Sequence, residues 1–312
     1  MSAANKHAET THQGQGCGNL RAPVWPLSIG APVWACPAWS GLVYPAGTKR
    51  KDFLRWYSRM FNIVEGNSTF YGVPNQETFA EWASVSVEGF EFSFKFPRLI
   101  SHEAMLTDCD REVREFLDRL RVLRDAGRLG PTFLQLGPQF GPQRFRTLAR
   151  FIRRLPVDMP WAVEVRHPGW FDQAENQNGL DDLLRDHGVD KVIFDSRPLY
   201  QSPPDDAIEA TSQTKKPKTP IHTTVTGTRP MLRLVGRNRI EKVQPALEAW
   251  CPILAKWIDE GLRPIVFTHA PDDAKAPLLA QRLLQTLHPH LPQIDLSLQR
   301  PPAPSSQLSL FE

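Results

Sequence analysis

Two patterns of hydrophobic positions alternate along the chain. Short runs of β-branched and aromatic residues are separated by stretches in which apolar residues recur every three or four positions. The first pattern is typical of buried strands and the second of amphipathic helices, so the alternation predicts repeated βα units and a parallel sheet. The helical spacing is clearest in three places: Phe53, Trp56, Tyr57 and Met60; Val113, Phe116, Leu117 and Leu120; and Leu247, Trp250, Cys251 and Leu254.

Eight strand-like runs are present, and eight is the number of strands that closes a (β/α)8 barrel. A chain of 312 residues is long enough for such a barrel of about 250 residues together with its ends. We therefore expect an α/β fold, a single (β/α)8 TIM-type barrel over residues 27–288. The runs are Leu27 to Val33, Asn62 to Gly66, Phe90 to Phe96, Thr132 to Leu136, Trp161 to Val165, Lys191 to Asp195, Met231 to Val235 and Pro264 to Thr268.

Three segments lack either periodicity. Residues 1–26 are rich in small and polar residues and predict a disordered leader, and residues 289–312 predict a flexible, Pro-rich tail. Residues 197–230 are rich in Pro, Thr, Ser and Lys, include Lys215-Lys216-Pro217-Lys218, and predict a long loop. Such a loop is a lid, a partner surface or a plain insertion.

Composition narrows the functional classes only slightly. A net charge of +3 permits nucleic-acid binding without indicating it, since binding proteins usually carry a clustered basic face. The 4 cysteines form no C-x-x-C pair, which favours a reducing compartment and gives no cysteine zinc site. No apolar run is long enough to span a membrane, and residues 1–11 lack the apolar core of a signal peptide. We expect a cytoplasmic protein with no membrane partner.

Strand alternation predicts which polar side chains face the interior. Val163 and Val165 suit the helix side of the fifth run, which turns Glu164 and Arg166 inward. These positions lie near the carboxyl ends of the strands, where barrel enzymes place their active sites. The same rule turns Glu65, Asn67, Lys95, Gln135, Asp195, Arg233 and His269 inward, and Tyr71, Arg98, His102 and His167 follow on the adjoining loops.

These residues offer two kinds of chemistry. Candidate substrate-binding residues, suited to an anion and to a stacked ring, are Asn67, Tyr71, Lys95, Arg98, Gln135, Arg166 and Arg233. Candidate catalytic residues are Glu65, Glu164, Asp195, His102, His167 and His269. The second group could act as general acids and bases, or could ligate a divalent metal that activates water. An internal ion-pair network without a ligand is the structural alternative.

Familiar short motifs for other chemistries are missing from the sequence. There is no H-E-x-x-H metal motif, so a metal remains one option among several. No G-x-S-x-G, Walker A or G-x-G-x-x-G segment occurs either. Serine hydrolase, nucleoside-triphosphatase and dinucleotide-binding functions therefore lose their usual support.

Three segments together carry a family resemblance: residues 64–71 (VEGNSTFY), 92–103 (FSFKFPRLISHE) and 163–168 (VEVRHP). In this order they resemble the YecE-like family, domain of unknown function 72, from about Ser28 to Leu287. The resemblance implies a TIM-type barrel and no settled activity. It carries the family's motif positions to Glu65, Asn67, Ser68, Thr69, Tyr71, Lys95, Arg98, His102, Gln135, Glu164, Arg166, His167 and Asp195.

The sequence departs from the family's pattern at two ends of the predicted site. The first run reads Gly30-Ala31-Pro32-Val33-Trp34 where members commonly carry a Gly-Thr-Ser-Gly-Trp type segment. The eighth run ends in Phe267-Thr268-His269 where many members carry asparagines. Both departures bear on which ligand the site accepts.

The extreme C-terminus resembles the pentapeptide with which bacterial replication and repair proteins bind the DNA sliding clamp. Its glutamine would fix the register by hydrogen bonds, and its apolar residues would fill a groove at the end of a Pro-rich tether. The alternative is that the tail packs back onto its own domain. The peptide is Gln307-Leu308-Ser309-Leu310-Phe311.

Three functions fit these observations. The first is an enzyme that hydrolyses a phosphate-containing or nucleic-acid substrate by acid-base or metal-assisted chemistry and is recruited to the sliding clamp. The second is a small-molecule enzyme, such as a sugar or sugar-phosphate isomerase or hydrolase. The third is a non-catalytic adaptor that binds a ligand.

Overall fold

A computed structural model describes residues 21–298, and within them eight parallel strands alternate with helices. The strands are β1 (Ser28–Gly30), β2 (Ile63–Gly66), β3 (Glu91–Phe94), β4 (Thr132–Gln135), β5 (Trp161–Glu164), β6 (Asp190–Asp195), β7 (Met231–Val235) and β8 (Ile265–His269). The helices are α1 (Phe53–Met60), α2 (Ser68–Tyr71), α3 (Gln76–Val85), α4 (Asp110–Asp125), α5 (Phe145–Ile152), α6 (Ala174–Asp186), α7 (Arg197–Tyr200), α8 (Ala207–Lys215), α9 (Gln244–Asp259) and α10 (Ala276–Leu287). The clamp-like peptide, residues 307–311, lies outside the described residues.

The predicted closed eight-stranded barrel is wrong. The strands form a six-stranded parallel sheet, in the order β1-β8-β7-β6-β5-β4, and a separate parallel pair, β2 with β3. Only isolated backbone hydrogen bonds, such as Glu65 N–H to Ala31 O at 3.1 Å, link the pair to its neighbours. The fold is therefore an α/β structure built on an open six-stranded sheet.

Side chains replace the backbone ladder between β1 and β2. The Asn62 amide accepts a hydrogen bond from Ile29 N–H at 2.8 Å and donates to Leu27 O at 3.0 Å. The Tyr57 hydroxyl likewise accepts from Ala31 N–H at 2.7 Å and donates to Ile63 O at 3.1 Å. These bonds satisfy backbone groups that a continuous ladder would have paired.

Between β3 and β4, too, a side-chain hydrogen bond stands where a backbone ladder would otherwise continue. Pro131 precedes β4 and has no N–H to donate, and the Ser93 hydroxyl donates to its carbonyl oxygen. Next to it, Phe92 and Lys95 make isolated bridges to Leu129 and Phe133. The ladder is therefore interrupted on both sides of the β2–β3 pair.

The apolar residues of the strands separate into two groups. One forms a large core with the helices, and the three predicted helix stripes are confirmed: Phe53, Tyr57 and Met60 of α1, Phe116, Leu117 and Leu120 of α4, and Leu247, Trp250, Cys251 and Leu254 of α9 are buried. The other is a small cluster on the opposite face of the sheets: Ile63, Phe133, Ala162, Val192, Met231, Ile265 and Phe267. Polar side chains two residues further along several of these strands share that second face.

Residues 197–230 are more structured than the predicted loop. They contain α7 and α8, and α8 is anchored by a buried ion pair in which Arg237 Nη2 lies 2.6 Å from Glu209 Oε2. Ser196 and Thr219 side chains donate hydrogen bonds to Pro217 O and Phe194 O, at 2.7 and 2.8 Å. The segment is thereby fastened over the carboxyl end of β6.

Candidate functional site

A buried arginine lies at the centre of the polar face. Arg233 of β7 is 4% exposed and donates two hydrogen bonds to Glu65 of β2, from Nε to Oε2 at 2.8 Å and from Nη2 to Oε1 at 2.7 Å. Its Nη1 donates to Glu164 Oε2 of β5 at 2.5 Å and approaches Gln135 Oε1 of β4 at 3.4 Å. One guanidinium group thus joins strands of both sheets.

Both carboxylates have further partners. Glu164 Oε1 accepts a hydrogen bond from Arg166 Nε at 2.6 Å, and Glu65 Oε1 accepts one from Asn67 Nδ2 at 2.8 Å. His269 Nε2 lies 2.9 Å from Glu65 Oε2. Every oxygen of the two carboxylates is therefore hydrogen-bonded within the protein.

The cluster formed by Glu65, Glu164, Arg166, Arg233 and His269 determines the protonation states of its own members. Burial alone would raise the pKa of Glu164, but Arg166 and Arg233 lower it to about 2. Glu65 is buried too, yet Arg233 and His269 hold its pKa well below the ordinary value. Burial lowers the pKa of His269 despite the neighbouring Glu65 carboxylate. At neutral pH both glutamates are ionised and His269 is neutral, so neither glutamate can act as a general acid.

Lys95 is different, because it lacks a carboxylate partner. Its side chain follows β3, is buried (8% exposed), and places Nζ 3.5 Å from the centroid of the Phe70 ring. Burial and the nearby Arg233 lower the pKa of Lys95 to about 7, although Glu164 opposes them. Among residues 21–298 no acidic group lies within salt-bridge distance of this amine. The pKa of Lys95 therefore lies close to neutral pH, unlike that of an ordinary lysine.

A second unpaired amine comes from the segment between β6 and β7. Lys216 directly follows α8, and its carbonyl oxygen accepts a hydrogen bond from the Tyr200 hydroxyl. Burial, then Arg233, lowers the pKa of Lys216, against the opposing effect of Glu65. Within the described part of the chain no salt bridge involves its amine. Lys216 and Lys95 interact electrostatically with the same two arginines and two glutamates.

His102 lies on the Lys95 side of the cluster. Its ring packs edge-on against Phe70, with centroids 5.1 Å apart, and its Nδ1 lies 2.8 Å from the Ser101 hydroxyl. Burial, followed by Lys95, lowers the pKa of His102 to about 4. The imidazole is neutral at pH 7 and can accept a proton.

The comparisons with known proteins decide the family. A family model described as a protein of unknown function, DUF72, matches residues 28–307. The chain is also 38% identical over 285 residues to the UPF0759 protein YecE of Escherichia coli K12, covering 91% of this chain and 100% of the relative. The chain belongs to the DUF72 family. The predicted YecE-like resemblance is thereby confirmed.

More distant relatives agree with the family assignment. The UPF0759 protein YunF of Bacillus subtilis 168 is 22% identical over 209 residues, covering 65% of this chain and 68% of the relative. A solved DUF72 family structure from Enterococcus faecalis V583 superposes with a TM-score of 0.63 at 17% identity, over 84% of this chain and 95% of that chain. One from Thermotoga maritima MSB8 gives 0.62 at 20% identity, over 84% and 99%. These structures support the fold alone.

Most of the predicted site residues of this DUF72 chain do meet. The cluster and its rim bring together Glu65, Asn67, Lys95, His102, Gln135, Glu164, Arg166, Arg233 and His269. Their roles as catalytic or substrate-binding groups stay predictions. Lys216 was missed by sequence reasoning because its segment has no strand or helix periodicity. The run Lys215-Lys216-Pro217-Lys218 was the available signal.

The predicted inward orientation of Asp195 is wrong. Val192 belongs to the inner cluster and Phe194 lies beneath the guanidinium groups of Arg166 and Arg233, so Asp195 faces the helices. There its carboxylate accepts hydrogen bonds from Trp250 Nε1 at 2.7 Å and from Arg197. Asp195 therefore joins β6 to α7 and α9 and takes no part in the cluster.

Three other predicted residues lie outside the cluster. His167 Nδ1 accepts a hydrogen bond from Gly169 N–H at 3.0 Å and caps a 3₁₀ helix. Arg98 lies 3.3 Å from Glu103 on the surface, and Tyr71 is 83% exposed. Arg98 and Tyr71 line a cavity of about 500 Å³ that shares Phe70 with the Lys95 side of the site.

The structure also bears on the possible metal site and on membrane-spanning helices. Within residues 21–298, no three His, Cys, Asp or Glu side chains come together in a set that could hold a metal ion. No helix in that range is both long enough and apolar enough to cross a membrane.

Proposed function

We propose that this DUF72 protein binds a small phosphate-containing ligand at the mouth of the cluster, with Lys95 as its acid-base group. The observation that carries the proposal is an imbalance of charge. Four cationic side chains, Lys95, Arg166, Lys216 and Arg233, share the site with three carboxylates: Glu65 and Glu164, which already have partners, and Asp273, which interacts with Lys216. Buried cations without counter-ions are costly, and an anion would relieve that cost.

The arrangement favours a small ligand over a nucleic-acid backbone. Lys95 and Arg233 are nearly enclosed, and only 17% of the Arg166 side chain is exposed. The segment that carries Lys216 is fastened to the carboxyl end of β6. A phosphate monoester is small enough to reach groups buried to this extent, whereas the backbone of a duplex is not. Arg166 and the two amines would donate hydrogen bonds to the phosphate oxygens.

The residues would then have separate tasks. Glu65 and Glu164 orient Arg233 and Arg166, because their ionised oxygens are already engaged. Lys95 exchanges a proton with the ligand, since its pKa of about 7 allows both charge states at neutral pH. The neutral His102 on the Phe70 side would accept or return that proton.

Binding of inorganic phosphate tests the proposal directly. Isothermal titration calorimetry should detect phosphate binding to the full chain, and Lys95→Met and Lys216→Met should each weaken it at least about tenfold, the value of one charge-assisted hydrogen bond. Lys256→Met, at an exposed amine of α9, is the matched control and should bind normally. Equal affinity in all four proteins, or no binding to the unmodified chain, would contradict the proposal.

A further inference from the structure

The backbone of Lys95 is held by two hydrogen bonds, whereas its amine makes none within residues 21–298. Lys95 N–H donates to Gly66 O at 3.1 Å, and the Thr69 hydroxyl donates to Lys95 O at 2.6 Å. The side chain then extends from the end of β3 across the Phe70 ring. The amine is therefore presented from a fixed strand end, as a group that must meet a reacting atom would be.

Another buried lysine provides a comparison within the same molecule. Lys191 of β6 is 2% exposed and donates a hydrogen bond to Asp181 at 2.6 Å, which holds it as a paired ammonium. Lys95 is comparably buried but makes no salt bridge within residues 21–298; burial and Arg233 lower its pKa, and Glu164 opposes them from beyond salt-bridge distance. Burial and neighbouring cations both favour the uncharged amine, which is the nucleophilic form.

We propose that Lys95 Nζ forms a covalent imine with the carbonyl carbon of a phosphorylated aldehyde or ketone. This inference rests on the proposed function, because the phosphate is held by the cationic groups around Lys95. A carbonyl compound without the phosphate lacks that anchor and should react poorly.

The chemistry balances without any further reactant. The Nζ lone pair attacks the carbonyl carbon, the C=O π electrons move to oxygen, and one N–H proton passes from nitrogen to that oxygen to give a neutral carbinolamine. A proton from solvent then converts the hydroxyl into a leaving water, and the nitrogen lone pair forms the C=N bond as the C–O bond breaks, which leaves an iminium cation. His102, which packs against the same Phe70 ring as Lys95, carries protons between the amine and the departing oxygen. The resulting iminium cation lies on the face of Phe70, where a cation is favoured.

Borohydride trapping tests for the imine. The full chain is incubated with D-glyceraldehyde 3-phosphate or with D-glyceraldehyde, sodium borohydride is added, and the adduct is located by peptide mass mapping. We expect one adduct, at Lys95, formed at least about tenfold more readily with the phosphorylated aldehyde. Inorganic phosphate should suppress it.

Two variants separate this inference from the proposed function. Lys95→Arg keeps a positive charge but cannot form an imine, so it should bind inorganic phosphate and give no adduct, whereas Lys256→Met should label as the unmodified chain does. Phosphate binding without an adduct at Lys95 overturns the imine and leaves the proposed function standing. An adduct at Lys216, or one spread over exposed lysines and unchanged in Lys95→Arg, also overturns it. Absence of both phosphate binding and adduct overturns both proposals.

Discussion

Replacing Lys95 by methionine should make the protein more stable. Burial and Arg233 lower the pKa of this amine from 10.5 to about 7. Keeping a charged lysine at this position therefore costs about 5 kcal/mol below pH 7. Methionine has a similar length and keeps a favourable sulfur contact with Phe70, so the substitution leaves little cavity.

The expected gain in the free energy of unfolding is the burial penalty of Lys95 minus the contact with Phe70 that is lost. At pH 7 most of the penalty is still present, and loss of the Lys95 contact with Phe70 offsets about 1 kcal/mol of it. The net increase in the free energy of unfolding should be about 3 kcal/mol at pH 7. This corresponds to a rise in Tm of about 5 °C for a chain of this size.

The pH dependence distinguishes this cause from improved packing. Because the folded-state pKa of Lys95 lies below its unfolded value, the penalty is fully present below pH 7 and disappears as the pH rises toward 10.5. The difference between variant and unmodified protein should therefore be largest at pH 6 and fall below about 1 kcal/mol at pH 9.5.

Urea denaturation followed by tryptophan fluorescence measures the difference at each pH. Lys256→Met, at an exposed amine 3.8 Å from Glu260, serves as the control and should change stability by less than about 0.5 kcal/mol. A Lys95→Met protein that is less stable than the unmodified chain, or a gain that is the same at pH 6 and pH 9.5, would refute the reasoning.

Three further predictions concern the cluster and the C-terminus. Arg233→Met removes the arginine partner of the buried Glu65, leaves Glu164 paired with Arg166 alone, and should lower the free energy of unfolding in urea by about 3 to 5 kcal/mol; a loss below about 1 kcal/mol would contradict the central role of Arg233. Because the folded-state pKa of Glu164 is depressed to about 2, its stabilisation is present above pH 4.5 and should decline by about 3 kcal/mol as the pH falls to 2, and Glu164→Gln should flatten this decline; an unchanged pH profile in that variant would count against it. A chain lacking residues 305–312 should lose binding to a purified bacterial sliding clamp in surface plasmon resonance, and equal binding with and without these residues would exclude the peptide.

The strands and helix stripes were predictable because side-chain periodicity reports local conformation. The run Thr132 to Leu136 differs from β4 by one residue, and the stripe of α9 is buried at all of its predicted positions. Closure of the sheet was not predictable in this way. It depends on whether neighbouring backbones pair, and here Asn62, Tyr57 and Pro131 interrupt that pairing. Such side-chain hydrogen bonds have no signature in a hydrophobic pattern.

The site was predictable only as far as alternation holds. Glu164 and Arg233 could be placed because apolar neighbours on both sides fix their face of the strand. Asp195 was misplaced because a carboxylate on the helix side is tolerated when a nearby donor such as Trp250 satisfies it. Phe194, which packs beneath two guanidinium groups, was the residue that marked the inner face.

The site contains one part that is structural and one part that we expect to be functional. The half formed by Glu65, Glu164 and Arg233 is fully paired and resembles an internal ion-pair network that needs no ligand. The half formed by Lys95 and Lys216 has no salt bridge within residues 21–298; Glu65 and Glu164 interact with both amines only at longer range, and burial lowers the pKa of each. Amines whose charged form is disfavoured by their surroundings are typical of functional sites. The paired half therefore supports the fold and positions Arg166, while the unpaired amines are where we expect the ligand to bind.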